Sequence, residues 1–407
     1  MHPLWRHILH SAHWANSACT WIGWTEDATN EQSDGGDGTF RTLDASVYEG
    51  TAGVALAAAL SSSTDRDLKR LAAASARHAL SHIDALPTTH GYYTGRTGSL
   101  AACAAVAKMI GDHDLYVSVR GKVKGLGIDG GQMDSCDLLA GGAGTISALL
   151  ILADLGVLAD GEALARRLAF DVCEQAARVD GGLCWRTPAA GDLAVTGVAH
   201  GASGIASSLL QCYLRTGDER LLDTAEGALA FERRWFSADK KNWADLRLFG
   251  SSRRQDEPAG LWDAVHWCYG APGIALTRLF AWRITGRPEY ESEARIALEA
   301  TVTAILSRLR LLEERRTVDA SLCHGLAGLL MILDLGAMMA PRGANRVRTL
   351  ARKTISYEAI ADGPLCCGTS NGAFTFGVMR GLSGIAITAS PMPPDGTLIL
   401  APWAWSP

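Results

Sequence analysis

Seven copies of a Gly-x-x-Gly motif, each followed by a run of alanine, leucine and other apolar residues, organise this sequence of 407 residues. The first glycines of the seven copies are Gly50, Gly95, Gly141, Gly201, Gly270, Gly325 and Gly381. One such motif is weak evidence of structure, but seven that precede the same kind of apolar run indicate a repeat architecture. Glycine is accordingly abundant, at 44 residues, whereas proline, at 13, is not.

The runs that follow the motifs predict buried helices. Residues 54–60 and 145–152 are apolar on all sides, which is typical of helices that are covered by protein all round. Between the motifs lie amphipathic segments, as where Leu164, Leu168 and Val172 repeat at helical spacing with charged residues between them. Each repeat is therefore predicted to be an antiparallel hairpin of one buried inner helix and one amphipathic outer helix.

Closure of these hairpins into a ring satisfies their burial best, because an open array would expose inner helices at its ends. We therefore predict an all-α fold, an (α/α) toroid of about seven helical hairpins with inner and outer rings of helices. The whole chain, 1–407, is expected to form one domain. Residues 1–43 are predicted to form an N-terminal helix and an exposed loop, 44–389 the seven repeats, and 390–407 a proline-rich tail across the outside.

Composition and charge exclude several classes of function. The net charge of −5 lacks the excess of positive charge that binding to nucleic acid or an anionic membrane surface needs. No secretory signal is recognisable, and no apolar stretch reaches the roughly 18 residues of a membrane span. The ten cysteines are widely spaced, which favours a reducing compartment. We expect a cytoplasmic protein, and a monomer by default.

Equivalent positions of the repeats predict a metal site. Cys268 and Cys323 each lie two residues before the first glycine of adjacent repeats, and His324 follows Cys323 directly. Thiolate sulfur and imidazole nitrogen are ligands that Zn²⁺ prefers, so this trio predicts one zinc per chain. Three protein ligands leave a fourth position open, as in catalytic sites. The alternative is a closed structural site with Cys366 or Cys367 as the fourth ligand.

Three further polar residues are predicted to lie at the same end of the toroid. His200 directly precedes the glycine of the fourth motif, and Asp137 lies four residues before Gly141. Both are candidates for proton transfer, with Asp137 either orienting His200 or assisting deprotonation. Arg380, before the seventh motif, is a candidate for stabilising an anion.

At these residues the sequence resembles the lanthionine synthetase C-like cyclase family. The motifs that carry the resemblance are AHG at 199–201, WCYGAPGI at 267–274 and SLCHGLAG at 321–328. The resemblance implies a toroid with one zinc held by Cys268, Cys323 and His324. Its implied activity is the addition of peptide cysteine thiols to dehydroalanine or dehydrobutyrine, which closes thioether rings.

The resemblance also implies roles for other residues and partners. His200 and Asp137 match the proton-transfer positions, and Tyr269 matches a tyrosine that follows the first zinc cysteine in several members. The substrate would be a dehydrated precursor peptide, and a separate dehydratase or kinase/lyase would supply it. The sequence departs from the pattern at Ala264, where some members have arginine, and at Arg380, where threonine is frequent.

Three other functions stay open. The first is addition of glutathione or another small thiol to dehydrated residues, which would use the same zinc. The second is a zinc-containing scaffold that binds peptide without catalysis. The third is a glycosidase of the toroid type, which needs paired carboxylates; the repeats offer mainly Glu49 and Asp137 for that pair.

Overall fold

Helices dominate the structure, a computed structural model that describes residues 1–26, 38–87, 90–125, 133–247, 260–389 and 396–406. In chain order the helices are α1 (Pro3–His10), α2 (Thr51–Ser62), α3 (Arg66–His82), α4 (Arg96–Ile110), α5 (His113–Gly125), α6 (Gly142–Asp154), α7 (Gly161–Glu174), α8 (Ala202–Thr216), α9 (Glu219–Arg233), α10 (Ala271–Thr285), α11 (Pro288–Glu313), α12 (Leu326–Leu335), α13 (Ala344–Thr354), α14 (Tyr357–Ala361), α15 (Leu382–Thr388) and α16 (Thr397–Leu400). In the described ranges, no helix is both long and apolar enough to cross a membrane.

Seven of these helices form a closed inner ring. They are α2, α4, α6, α8, α10, α12 and α15, and each begins directly after the first glycine of a repeat motif. Each packs against the next one along the chain, and α15 packs against α2. The predicted (α/α) toroid is therefore confirmed.

The second glycine of each motif is required by a close backbone approach. A Cβ atom on Gly273 would lie 1.9 Å from the carbonyl oxygen of Trp267, and one on Gly328 would lie 1.8 Å from that of Leu322. The other five second glycines meet the carbonyl of the residue six positions earlier in the same way. Only glycine allows the turn to fold back this tightly onto the start of its helix.

A ring of backbone hydrogen bonds closes the same end of the toroid. In each repeat, the residue two positions before the first glycine accepts an N–H bond from the preceding repeat. The accepting carbonyls belong to Tyr48, Tyr93, Leu139, Ala199, Cys268, Cys323 and Met379. The bond from Met379 N to Tyr48 O, 3.0 Å long, joins the seventh repeat to the first. The turns of all seven repeats are thereby held in one register.

Outer helices cover six of the seven inner helices as predicted, and the seventh unit differs. The hairpin partners are α3, α5, α7, α9, α11 and α13. The N-terminal helix α1 packs against α15, the seventh inner helix, with Leu4, Trp5 and Ile8 buried. Helix α1 thus takes the place of the outer helix in the seventh repeat, which the prediction of consecutive hairpins did not include.

The strands are short and connect the helices. They form six two-stranded sheets in the described part of the chain: β1 (His13–Ala15) with β2 (Ala18–Thr20), β3 (Ile22–Glu26) with β4 (Gly38–Thr42), β5 (Ala177–Val179) with β6 (Gly182–Cys184), β7 (Arg186–Thr187) with β8 (Leu193–Ala194), β9 (Phe236–Ser237) with β10 (Asn242–Trp243), and β11 (Val318–Asp319) with β12 (Leu365–Cys366). The exposed loop expected within residues 1–43 contains the antiparallel pair of β3 and β4. Residues 27–37, its central part, lie outside the described residues.

The C-terminal segment packs inside the ring, so the expected position across the outside is wrong for residues 396–406. Its side chains Leu398, Ile399, Leu400 and Trp403 are buried, and the segment contacts the inner helices α2, α6 and α8. The inner helices are rich in alanine and glycine and leave space at the centre of the ring. These larger apolar side chains fill that space, which buries them from water. Residues 390–395 and 407 lie outside the described part.

Three aromatic side chains fix this C-terminal segment through its backbone. Tyr92 Oη donates to Leu398 O and Tyr93 Oη to Ile399 O, each at 2.6 Å. Trp267 Nε1 donates to Leu400 O at 2.9 Å. All three donors belong to the turns that precede inner helices. The segment therefore lies directly beneath the ring of turns and is hydrogen-bonded to it.

Candidate functional site

The residues directly before the first glycines lie at the end of the toroid where the inner helices begin, its upper end. They are Glu49, Thr94, Ala140, His200, Tyr269, His324 and Arg380. All except Tyr269 are half-buried, whereas most residues one position earlier in the chain are buried. In six of the seven repeats the turn thus leaves this residue partly accessible at one end of the toroid, and the polar residues at this repeat position are the candidates for chemistry.

Cys268, Cys323 and His324 form a group that could hold a metal ion. One ligand atom from each residue lies within 4.8 Å of the other two. Tetrahedral zinc with sulfur ligands at about 2.3 Å separates its ligand atoms by about 3.5–4 Å, so small adjustments complete the geometry. The two sulfurs and one imidazole are the donor set that zinc prefers, and the predicted trio converges at the predicted end of the toroid.

The electrostatics of this group favour a thiolate. The pKa of Cys268 is well below its usual value, chiefly because Cys323 Sγ donates a hydrogen bond to it, and His324 adds positive charge nearby. Burial lowers the pKa of His324, but the charge and hydrogen bond of Cys268 together with the Asp319 charge raise it, so the net pKa lies above its usual value. The group therefore stabilises one thiolate, on Cys268, whereas burial and the hydrogen bond to Cys268 raise the pKa of Cys323 well above its usual value. A metal would hold both sulfurs as thiolates.

Neighbouring residues hold His324 in place. Arg308 Nη2, from α11, and His266 Nδ1 both bind the carbonyl oxygen of His324, at 3.1 and 2.9 Å. Ser321 Oγ accepts a bond from the His324 backbone N–H. Asp319 Oδ2 lies 3.8 Å from His324 Nδ1, beyond hydrogen-bond length but close enough to orient the ring electrostatically.

The alternative ligands Cys366 and Cys367 lie outside the group. Their thiols donate to backbone carbonyls, from Cys366 Sγ to Val318 O and from Cys367 Sγ to Thr375 O. Burial raises the pKa of Cys367 to about 12 and that of Cys366 to about 11, so both favour the neutral thiol. Within the described ranges the group consists of three ligands, which fits a metal with an open position.

His200 and Asp137 form a hydrogen-bonded pair. His200 Nδ1 and Asp137 Oδ2 are 2.8 Å apart, although the residues belong to different repeats. Asp137 is buried and also accepts bonds from Ser135 Oγ, Thr187 Oγ1 and the backbone N–H of Ala140. This network fixes the direction of the carboxylate, which in turn fixes the imidazole ring.

Asp137 stays ionised in this network. Burial raises its pKa, but the His200 charge and the donated hydrogen bonds lower it by more, so the net pKa lies below the usual value. An ionised Asp137 accepts a hydrogen bond from His200 Nδ1–H and stabilises the imidazolium form. His200 Nε2 is then the ring nitrogen suited to proton transfer.

Tyr269 lies near both the metal group and the His200–Asp137 pair. Its side chain is 2% exposed, and its hydroxyl has no hydrogen-bond partner among the described residues. Burial raises the pKa of Tyr269, the Arg247 charge lowers it, and the negative charges of Cys268 and Asp137 raise it further, so the net pKa is well above its usual value and the phenol stays protonated. A buried hydroxyl without a partner is costly, and a bound substrate oxygen would satisfy it.

An arginine covers the ring of Tyr269. The Arg247 guanidinium carbon lies 3.6 Å from the ring centroid, and Asp245 binds the guanidinium through both carboxylate oxygens. Burial lowers the pKa of Arg247, but its pairing with Asp245, with smaller contributions that include the Cys268 charge, raises it above its usual value. Arg247 belongs to the segment between α9 and α10, outside the repeated motifs.

Arg380 is ion-paired at the rim. Its guanidinium binds Glu26, at the end of β3, and Glu49 of the first repeat. Both pairs partly neutralise its charge, and a role in stabilising an anion stays a prediction. Of the two carboxylates considered for a glycosidase, Glu49 pairs with Arg380 and Asp137 with His200.

Sequence reasoning missed two contributors to this site. Tyr48 donates a hydrogen bond to Cys323 Sγ at 2.9 Å. It lies in the same repeat position as the two cysteines, and ring closure brings the first repeat near the sixth, so its position was recognisable. Arg247 carries no such signal, because it lies in a connecting segment whose path the repeats do not determine.

Comparisons with known proteins agree with this geometry. The profile of the lanthionine synthetase C-like protein family matches residues 41–392. A curated relative, the lacticin 481/lactococcin biosynthesis protein LcnDR2 of Lactococcus lactis subsp. lactis, is 25% identical over 196 residues, or 47% of this chain. The matched part covers 20% of that relative's length.

The solved structure of a nisin cyclase is similar in fold. It superposes with a TM-score of 0.63 at 17% sequence identity, covering 88% of this chain and 92% of the cyclase. The family profile spans most of the chain and includes all three residues of the metal group and the His200–Asp137 pair. The chain therefore belongs to the lanthionine synthetase C-like family.

Proposed function

We propose that this protein is a zinc-dependent lanthipeptide cyclase that adds peptide cysteine thiols to dehydroalanine or dehydrobutyrine. The observation that carries the proposal is the arrangement at the upper end of the toroid. A three-ligand metal group and a His–Asp pair lie there with an unpartnered tyrosine hydroxyl in the same site. Membership of the family and the fold of the nisin cyclase support the same activity.

Cys268, Cys323 and His324 would hold one zinc, which would supply a coordination position that deprotonates the substrate thiol near neutral pH. A free thiol has a pKa near about 8.5 and is mostly protonated, whereas the thiolate is the nucleophile. The electrostatic environment around Cys268 already favours anionic sulfur.

His200 supplies the proton that completes the addition. The thiolate sulfur forms a bond to the β-carbon of the dehydro-residue, and the π electrons of the alkene move toward the carbonyl as an enolate. His200 Nε2 then delivers a proton to the α-carbon, while Asp137 holds Nδ1–H and stabilises the imidazolium. The thiol loses one proton and the α-carbon gains one, so the reaction is balanced as an isomerisation.

Tyr269 and Arg247 stabilise the negative charge of the enolate. The Tyr269 hydroxyl is protonated and without a partner, so it donates a hydrogen bond to the substrate carbonyl oxygen as charge develops there. The Arg247 guanidinium over the ring adds positive charge behind it. Arg380 lies at the rim of the site, where ion pairs with Glu26 and Glu49 hold its guanidinium in place.

The substrate in this proposal is a dehydrated precursor peptide, which a separate dehydratase or kinase/lyase provides. The C-terminal segment fills the centre of the ring beneath the turns, so the peptide approaches from the upper end. The chemistry needs reduced thiols on enzyme and substrate, which favours action in the cytoplasm. We propose that the protein acts as a monomer.

A cyclisation assay with a synthetic peptide tests this function. The peptide carries one dehydroalanine and one cysteine, and mass spectrometry after thiol alkylation distinguishes the products, because ring closure itself leaves the mass unchanged. We expect loss of the alkylatable thiol with the zinc-loaded protein, and little conversion with His200→Ala. His113→Ala, an exposed histidine on α5, is the matched control and should cyclise normally.

The assay also separates the alternatives. With glutathione present, a mass increase of one glutathione per peptide would identify a small-thiol transferase. Tight binding of the peptide without conversion would identify a scaffold. Full activity of His200→Ala would remove His200 from the mechanism.

A further inference from the structure

The hydroxyl of Tyr48 makes a contact to the metal group that the proposed chemistry has not yet used. Tyr48 Oη lies 2.9 Å from Cys323 Sγ, and the two residues are 275 positions apart in the chain. This distance is short for a hydrogen bond to sulfur. In the described residues no hydroxyl makes an equivalent contact to Cys268 Sγ, so the two cysteines of the group have different environments.

The position of Tyr48 is fixed from both sides by the ring of turns. Its backbone N–H donates to Tyr93 O at 2.9 Å, and its carbonyl accepts from Met379 N at 3.0 Å. Its ring packs edge-on against the ring of Tyr93, with centroids 6.3 Å apart. The backbone bonds on both sides of Tyr48 and the packing of its ring against the Tyr93 ring therefore direct the Tyr48 hydroxyl at Cys323.

The contact also crosses the place where the toroid closes. Cys323 belongs to the sixth repeat, Met379 to the seventh and Tyr48 to the first. The Cys323 backbone N–H donates to Met379 O, and Met379 N–H donates to Tyr48 O, so the three turns are joined in sequence. The Tyr48 side chain adds a bond that reaches over the seventh turn to the sulfur.

We propose that Tyr48 is a positioning residue of the metal centre, whose hydroxyl donates to the Cys323 thiolate and sets both the direction of this ligand and its electron donation. The proposal rests on the proposed zinc site. A hydrogen bond to a ligating sulfur lowers its donation to the metal and holds it in the coordinating position. Cys323 then becomes the weaker donor of the two cysteines, and Cys268 the stronger.

Tyr48→Phe tests this role, with Tyr93→Phe as the matched control. Both substitutions remove one hydroxyl from neighbouring rings in the ring of turns, but the Tyr93 hydroxyl binds a carbonyl rather than sulfur. Zinc affinity is measured by competition with a chromophoric chelator. The cobalt-substituted protein is examined by its sulfur-to-metal charge-transfer absorption. Neither measurement depends on cyclase activity.

We expect zinc affinity to fall about 10-fold in Tyr48→Phe, because losing the fixed direction of Cys323 and the donor that stabilises its buried thiolate outweighs the stronger donation of a sulfur without a hydrogen bond. The charge-transfer band should move to lower energy, since a thiolate without a hydrogen bond gives up electron density more easily. Tyr93→Phe should match the wild type in both measurements.

Three results would overturn the proposal, and they can be told apart. If the wild type binds zinc and Tyr48→Phe has the same affinity and the same absorption, the hydrogen bond has no effect on the metal, and the proposed function stands. If the wild type binds neither zinc nor cobalt, the metal site fails and the role of Tyr48 fails with it. Equal shifts in both variants would also contradict a specific contact to sulfur.

Discussion

Substitution of Asp137 by asparagine is expected to disable proton transfer while leaving the toroid folded. Asp137 Oδ2 accepts bonds from His200 Nδ1, Ser135 Oγ and Thr187 Oγ1 at 2.8, 3.0 and 3.2 Å. Its Oδ1 accepts from Ala140 N at 2.8 Å. An asparagine has one acceptor oxygen in place of two, so it cannot serve both groups of donors.

In either orientation, the asparagine amide places its NH₂ group against a position where Asp137 accepts a hydrogen bond. With its oxygen toward Ala140 N, the amide NH₂ faces His200, whose Nδ1 must then accept and whose proton moves to Nε2 as the neutral tautomer. With its oxygen toward His200, the NH₂ faces the Ala140 N–H. One buried donor loses its partner in both cases, which costs about 1–3 kcal/mol of stability. The loss of the imidazolium lowers the cyclisation rate by about 10²–10⁴-fold.

Three measurements on Asp137→Asn check this reasoning. Single-turnover cyclisation gives the rate, denaturant unfolding gives the change in the free energy of unfolding, and ¹⁵N NMR of labelled histidine gives the tautomer. Asp154→Asn is the control, because Asp154 pairs with Arg215 at the far end of α6. A wild-type rate for Asp137→Asn with an unchanged His200 tautomer would show that the pair has no role in catalysis.

The structure supports three further predictions. Cys268→Ala should remove stoichiometric zinc, measured by elemental analysis, while circular dichroism stays helical; full zinc content in this variant would contradict the ligand set. Ile399→Ala, in the centre of the ring, should lower the free energy of unfolding by about 2–5 kcal/mol in denaturant titrations, and a smaller loss would mean that the C-terminal segment is not part of the core. Arg278→Leu should cost about 3–5 kcal/mol in the same experiment because it leaves the buried Glu232 without its ion pair, and Arg283→Leu, an exposed arginine of the same helix, should have little effect.

The repeats made much of the fold predictable. The first glycine of each motif fixes where an inner helix begins, because the turn before it must fold back closely onto the helix. Equivalent positions in the repeats then lie at one end of the ring, so the convergence of Cys268, Cys323 and His324 was predictable from the sequence. Even the long-range approach of His200 to Asp137 follows from adjacent repeats in one register.

Features outside the repeat could not be predicted in this way. The C-terminal segment has no equivalent in the other repeats, and its apolar side chains could have covered the outside as easily as they fill the centre. Pairing of α1 with α15 depends on closure of the ring, which joins residues distant in sequence. The connecting segment that carries Arg247 has no periodic pattern, so its position over Tyr269 was visible only in the structure.

The central claim is that Cys268, Cys323 and His324 hold one zinc with a position open to a substrate thiol. X-ray absorption at the zinc edge measures it directly, by counting sulfur ligands before and after a cysteine-containing peptide is added. The account predicts about one zinc per chain with two sulfur ligands in the free protein and three in the complex. A zinc whose sulfur count does not change on addition of peptide would contradict an open catalytic site, and absence of zinc would contradict the metal centre itself.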